Sequence, residues 1–301
     1  MDIAAWAPGI YPRSDDLIQA TRDLERGRTT PERVAEAQSR DRAALLAAQR
    51  SAGLDLVSDG MLDWQDAFRP LVERTANLTA RPLVRFLDTN TFYRSILVEG
   101  EPVLEQPLDP PDLPRGRWLA TLPSPHAFAA AAAGAVGATV LAERVLAPQI
   151  EAFAAAGCAT VVLWEPFLTT GDVPELERAL RALPDQLPIH LWLAFTDAAP
   201  LLGPVAGLPV AGVGVDLYAT ALDAIPDRFP HRLLAGVVDA RSSALEDPVE
   251  LRGPVRALLD RAPAGVTLVP NGDLQFVPEP IAREKLARLG RARHDLQEAA
   301  A

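Results

Sequence analysis

Five carboxylates stand at or just beyond the ends of short apolar runs in this 301-residue chain: Asp59, Glu165, Asp216, Asp239 and Asp273. Acids gathered at one end of a sheet repel each other, which raises at least one pKa and suits general acid–base chemistry. Glu165, closing Thr160-Val161-Val162-Leu163-Trp164, and Asp239, closing Gly236-Val237-Val238, are the first candidates for catalytic roles. The same side chains would also serve as helix caps or loop anchors by accepting backbone N–H groups. His190 interrupts the apolar run Pro188–Trp192, where a hydrogen-bonded core histidine and a ligand are both chemically reasonable, and His126 follows a strand end in Pro123-Ser124-Pro125-His126. Trp164, Trp192 and Tyr218 offer flat faces for a ring. Arg13, Arg85 and Arg94 are forked donors for a carboxylate, or ordinary loop braces.

Positioning these residues needs a repeating scaffold. The runs Ala4–Tyr11, Leu54–Asp59, Trp118–Leu122, Ala159–Glu165, Leu187–Leu193, Val210–Asp216, Leu233–Asp239 and Val266–Asn271 each end in a polar residue or an aromatic, or just before one, and most precede an Ala/Leu/Arg stretch with helical spacing. Such alternation is expected to give an α/β fold: one (β/α)8 TIM barrel over residues 1–301, with its chemistry at the carboxyl ends of the strands. Helices are expected from Pro31 to about Arg50, from Ala138 to Gly157, from Pro174 to Pro184, from Pro248 to Arg261 and from Pro280 to Ala300. Pro82–Asp88 and Thr91–Val98, joined at Asp88-Thr89-Asn90, read as a β-hairpin inserted after the second barrel strand, about residues 82–105.

The formal net charge of −11 opposes a nucleic-acid or anionic-membrane partner. Cys158 is the only cysteine, which leaves no internal disulfide and no thiolate-rich zinc site within one chain. With no basic leader and no apolar stretch of membrane-spanning length, a cytoplasmic enzyme acting on a small molecule is expected.

Several segments, in order and covering nearly the whole chain, resemble the catalytic domain of cobalamin-independent methionine synthase, notably its short single-domain versions. They are Gly9-Ile10-Tyr11-Pro12-Arg13-Ser14, Gln49 to Gly60, Arg85-Phe86-Leu87-Asp88-Thr89-Asn90-Thr91-Phe92-Tyr93-Arg94, Ser124-Pro125, Trp164-Glu165-Pro166, His190, Gly236-Val237-Val238-Asp239 and Pro270-Asn271-Gly272-Asp273-Leu274. The resemblance implies a barrel whose zinc, held by one His, two Cys and a Glu, activates a substrate thiol toward a methylfolate. This chain departs from that pattern. His190 matches the histidine, but Trp192 and Gly272 stand at the two cysteines and Asp216 at the glutamate. Ile10, Met61 and Trp164 replace the Ser, Glu and Asp associated with amino-acid binding.

The expectation is therefore a divergent methyltransferase-type barrel enzyme with its thiolate zinc site lost, acting on a small anionic or aromatic substrate. Binding would involve Tyr11, Arg13, Asp59, Arg85, Asn90, Arg94, His126, Trp164, Trp192, Tyr218, Asn271 and Asp273; catalysis would fall to Glu165, Asp239 and His190. Either no cofactor is used, with a ring stacked between the tryptophans, or His190 and Asp216 hold one divalent metal, Zn, Fe or Mn. Trp164 and Trp192 packed shut, with no pocket at the strand ends, would count against this reading. The alternatives are a non-catalytic ligand-binding barrel, or a minimal methionine synthase taking its methyl group from a corrinoid protein. A homo-oligomer is compatible with each.

Overall fold

Buried parallel strands read as continuous apolar runs because helices cover their outer face, and the computed structural model of this chain follows that rule. It describes residues 2–89 and 91–299. Strands β1 (Ile3–Ala5), β2 (Thr75–Arg85), β3 (Phe92–Leu104), β4 (Leu119–Pro123), β5 (Thr160–Trp164), β6 (Ile189–Leu193), β7 (Gly212–Asp216), β8 (Arg232–Val238) and β9 (Val266–Pro270) occur in chain order. Among the described residues, seven form one parallel sheet in the order β1-β9-β8-β7-β6-β5-β4. Every residue of β4, β5, β6, β7 and β9 is buried.

The run expected as the second barrel strand, Leu54–Asp59, lies between the sheet's two outer strands but is not a regular strand. Asp55 N–H donates to the Ala5 carbonyl at 3.1 Å, and Val57 pairs with Trp118 in a single parallel bridge. Side chains replace the rest of the ladder. Asp55 Oδ2 accepts the Ala5 amide at 2.8 Å, and the fully buried Gln49 takes both backbone groups of Ser58, at 2.8 and 2.9 Å. The expected first strand, Ala4–Tyr11, shrinks to Ile3–Ala5. Pro8 has no N–H to continue a ladder, and Gly9 adopts φ +86°.

β2 and β3 form the expected antiparallel hairpin, longer than the sequence indicated and paired from Thr75↔Leu104 to Arg85↔Phe92, with register shifts between Ala76 and Leu78 and between Ala80 and Leu83. The helix at Pro31–Ser51 matches expectation, and the final one, Glu279–Glu298, differs only at its ends. The helix expected from Pro248 begins at Arg252, after a turn in which Asp247 Oδ1 accepts the Val249 amide. A further helix, Asp15–Glu25, was not anticipated, although Ser14 caps it and Asp15 and Asp16 fill its first turn. The segment from Ala138 contains a π-helical turn, Ala142–Leu146, just before Pro148, which cannot donate a backbone hydrogen bond. No described helix is long and apolar enough to cross a membrane.

Candidate active site at the carboxyl ends of the strands

Period-two alternation sends His190 and Trp192 of β6 to the same face as Gly212, Gly214 and Asp216 of β7. The two glycines make room for the two rings. A Cβ on Gly212 would lie 2.3 Å from His190 Nδ1, and one on Gly214 would lie 2.5 Å from Trp192 Cδ1. His190 is level with the start of β7, its ring edge-on to Trp6 at 5.2 Å. Nδ1 has no hydrogen-bond partner among the described residues. Burial, with help from Arg232, pushes its pKa down to about 4, so it is a neutral core histidine at physiological pH. Trp192 is fully buried one step further toward the mouth. His190 is thus not brought to the mouth, and Trp192 is packed shut rather than lining it. Small residues on β7 let the two rings fill the interior of the curled sheet.

Glu165 follows the inward-facing Trp164 and turns to the opposite side, toward the connection after β4. Its Oε2 accepts Ser124 Oγ and lies 3.1 Å from His126 Nδ1, while Oε1 accepts the Phe167 amide at 2.9 Å. His126 Nε2 reaches Asp172 Oδ2 at 3.5 Å. Burial lowers the His126 pKa, but the hydrogen bond and charge of Glu165, with Asp172 and Glu175, outweigh it and leave the value raised. Glu165, fully buried, organises Ser124, which in turn caps the helix Pro125–Ala131. It does not face the mouth with Asp216 and Asp239.

Three strand ends do converge. Asn271 Nδ2 donates to Asp216 Oδ1 at 3.1 Å and to Asp239 Oδ1 at 3.4 Å, and its Oδ1 accepts the Ala240 amide at 2.8 Å. Asp216 Oδ1 also accepts the amides of Tyr218 and Ala219, whereas Oδ2 is buried without a partner. Burial raises the Asp216 pKa against these donors. The loop above is pinned by Glu246, which accepts the Asp239 amide at 2.8 Å and the half-exposed Tyr218 hydroxyl at 3.3 Å. Lys285, the only lysine, is buried 2.8 Å from Glu246 and donates to the Ala244 carbonyl.

Asp273 links both ends of the chain. Its Oδ1 accepts the Ile10 amide at 2.8 Å, and a Cβ on Gly9 would fall 2.3 Å from that oxygen. Burial, opposed by the Ile10 amide, raises its pKa to about 6. The Trp164 indole N–H lies close enough to oppose this rise yet falls short of hydrogen-bond geometry. Asp273 and Trp164 line a cavity of about 30 Å³ with Phe86, Tyr93, Thr91, Gln65 and Gln275. Phe86, from the turn between β2 and β3, covers it. Its ring lies 5.2 Å from Trp164, 5.9 Å from Phe167, 6.2 Å from Phe195 and 6.3 Å from Phe276. Facing Trp164 across the mouth is therefore Phe86, not Trp192.

The remaining expected site residues scatter. Tyr11 and Arg13 line a separate groove of about 670 Å³ beside Gln275–Pro280, with the Tyr11 hydroxyl on Glu279. Asp59 lines a small cavity near Trp118, and burial raises its pKa. Arg85 is exposed on the hairpin, and Arg94 donates to the Arg81 carbonyl. Asn90 lies outside the described residues. The guanidinium that does reach the mouth is Arg241, 5.0 Å from the Phe195 ring centre. Arg241 carried no sequence signal beyond its type. Phe86 did lie within a resemblance segment, between Arg85 and Leu87 at a turn, where a buried aromatic is unusual.

His190 and Asp216 are offset along the strand direction: Asp216 closes β7 four residues after Gly212, the partner of His190. At Gly272, a Cβ would meet the Phe195 ring at 1.9 Å, so a cysteine fits there only if that ring moves. Among the described residues, no three His, Cys, Asp or Glu side chains are placed to hold a metal ion.

No family model matches the chain. It is 34% identical over 137 residues to a 5-methyltetrahydropteroyltriglutamate–homocysteine methyltransferase from a Synechococcus species, a stretch that is 42% of this chain and 18% of that relative. The chain thus matches less than a fifth of that protein's length. It superposes on a B12-independent methionine synthase from a Shewanella species, solved in complex with selenomethionine, with TM-score 0.76 and 14% identity over 100% of this chain and 99% of that one. A putative B12-independent methionine synthase from Listeria monocytogenes gives TM-score 0.68 and 16% identity over 98% and 99%. The structural matches establish a shared fold. With the sequence match, they support the resemblance to the cobalamin-independent methionine synthase family.

Proposed function

We propose that this chain is a divergent, methyltransferase-type barrel enzyme that binds a small aromatic or anionic molecule at its strand ends and acts on it by acid–base chemistry. The observation that carries this reading is Asp273, held near pH 6 at the floor of an aromatic-lined cavity. An acid poised near the working pH is matched to proton transfer. Asp216, buried with a free oxygen, is the second candidate acid, and Arg241 is the donor for an anionic group. In this reading the sheet and the 54–59 segment make a closed eight-position barrel with the hairpin inserted after the second position, in a cytoplasmic protein.

The family's zinc does not fit these residues. Trp192 fills one thiolate position, Phe195 blocks the other, and His190 lies beneath Trp192. No step is therefore routed through zinc. The separation of His190 from the acids favours one second reading, a barrel that binds its ligand without turnover.

Thermal-shift and calorimetric screening of flat heterocycles and aromatic carboxylates tests the site. Saturable binding that is lost in Trp164→Leu and Asp273→Asn is expected, and no saturable binding by the wild type would overturn the reading. Turnover of a bound compound separates the enzyme from the binding barrel. Methyl transfer to homocysteine with stoichiometric zinc would restore methionine synthesis instead.

A further inference from the structure

Phe86 is 5% exposed, yet the residues on either side of it, Arg85 and Leu87, face solvent. The hairpin around it displays apolar side chains outward: Leu83 is 58% exposed and Phe92 46%. Leu87 adopts φ +48°, a left-handed conformation unfavourable for a branched side chain. The turn thus holds a costly backbone conformation while a single ring drops into the mouth. That ring borders the cavity it shares with Trp164 and Asp273, and the space left beside it, about 30 Å³, suits one water. Aromatic rings prefer offset or edge-to-face neighbours at 4.5–7 Å, and Phe86 has four such neighbours on the mouth wall.

We propose that Phe86 occupies the ligand's own ring slot: the mouth binds a flat, nitrogen-bearing ring that stacks on Trp164 in place of Phe86 and points an N–H donor at Asp273. This rests on the reading of the mouth as a ligand site, and it names the ligand class. The hairpin supplies an internal stand-in for the ring, so a ligand must displace Phe86 and binds more weakly by that cost. Asp66, on the same cavity wall, is already satisfied by the Phe68, Arg69 and Arg94 amides, so Asp273 selects a ring with an N–H over an equally large hydrocarbon, which offers the carboxylate no donor beyond the Ile10 amide.

The test is calorimetry at pH 7 on the full chain with 2-aminobenzimidazole, a flat ring with adjacent N–H donors, and with naphthalene as the ring that has none. Phe86→Ala is expected to bind 2-aminobenzimidazole at least tenfold tighter than wild type. Adding Asp273→Asn should remove at least tenfold of that affinity and leave naphthalene binding unchanged. Phe86→Leu, which keeps an apolar side chain but no ring, should fall between wild type and Phe86→Ala, and thermal unfolding checks that each variant is folded. Wild-type binding that is abolished by Trp164→Leu but unchanged by Phe86→Ala overturns the stand-in role while leaving the ligand site. Equal loss of both rings on Asp273→Asn overturns the donor assignment. Failure of every folded variant to bind either ring overturns the proposal together with the reading beneath it.

Discussion

His190 lies level with Gly212, and Asp216 closes that strand four residues later, so their backbone positions are offset by about 13 Å along the strand direction at the usual rise per residue, with Trp192 between the histidine and the mouth. That offset, with Trp192 in between, opposes a shared ion. Protein purified without chelator is expected to carry only trace divalent metal, at the same level in His190→Ala. Stoichiometric zinc lost in that variant, read by elemental analysis, would refute the separation as a functional fact.

His190 also sets an acid limit. Its folded pKa, about 4, lies below the usual 6.5, so folding expels a proton. The stability this provides is fully present above about pH 6.5 and drains as pH falls toward 4, by up to roughly 3 kcal/mol. His190→Leu should be less sensitive over that window when urea midpoints are compared at pH 7 and 4.5. An unchanged difference between the two pH values would contradict a neutral buried imidazole.

Asp273 works in the opposite direction. Its folded pKa, near 6, exceeds the usual 3.8, so the ionised form is disfavoured by folding and costs stability above pH 6. Asp273→Asn keeps an oxygen for the Ile10 amide and is expected to gain about 1–3 kcal/mol at pH 7.5. The gain should vanish below pH 4. A variant less stable than wild type at pH 7.5 would show that the charge is already compensated.

The Lys285–Glu246 pair is buried, so removing one partner strands a charge. Lys285→Met is expected to cost about 3–5 kcal/mol, and combining it with Glu246→Gln should recover part of that loss. A cost below about 1 kcal/mol in chemical unfolding would place the pair in effective contact with water.

Gly214→Ala should destabilise by about 1–3 kcal/mol, because the new methyl group meets Trp192. Trp192→Leu in that background should restore most of the loss. No restoration would mean that the backbone, rather than the indole, demands glycine.

The strand–helix order was legible in the residues themselves. Val-, Leu- and Gly-rich runs closed by polar groups can be buried on both faces only in a parallel sheet, so local composition implied the architecture. Prolines and capping residues marked most helices for the same local reason. The run at Leu54–Asp59 has the composition of a strand, but the groups that replace its ladder, Gln49 and Asp55, act through side chains, which composition does not reveal.

Which polar residues share a site was settled only in three dimensions. Alternation along a strand sends Trp164 inward and the adjacent Glu165 to the other side, where it is buried against Ser124 and His126 rather than beside Asp216 and Asp239. His190 and Asp216 share a face but differ in depth, and depth depends on register between strands rather than on residue type. Phe86 reaches the mouth because the hairpin folds back across it, a long-range contact with no local signature. The sequence determined which chemistry was present; chain packing decided which of those groups meet, because facing, depth and cover arise from pairing distant segments.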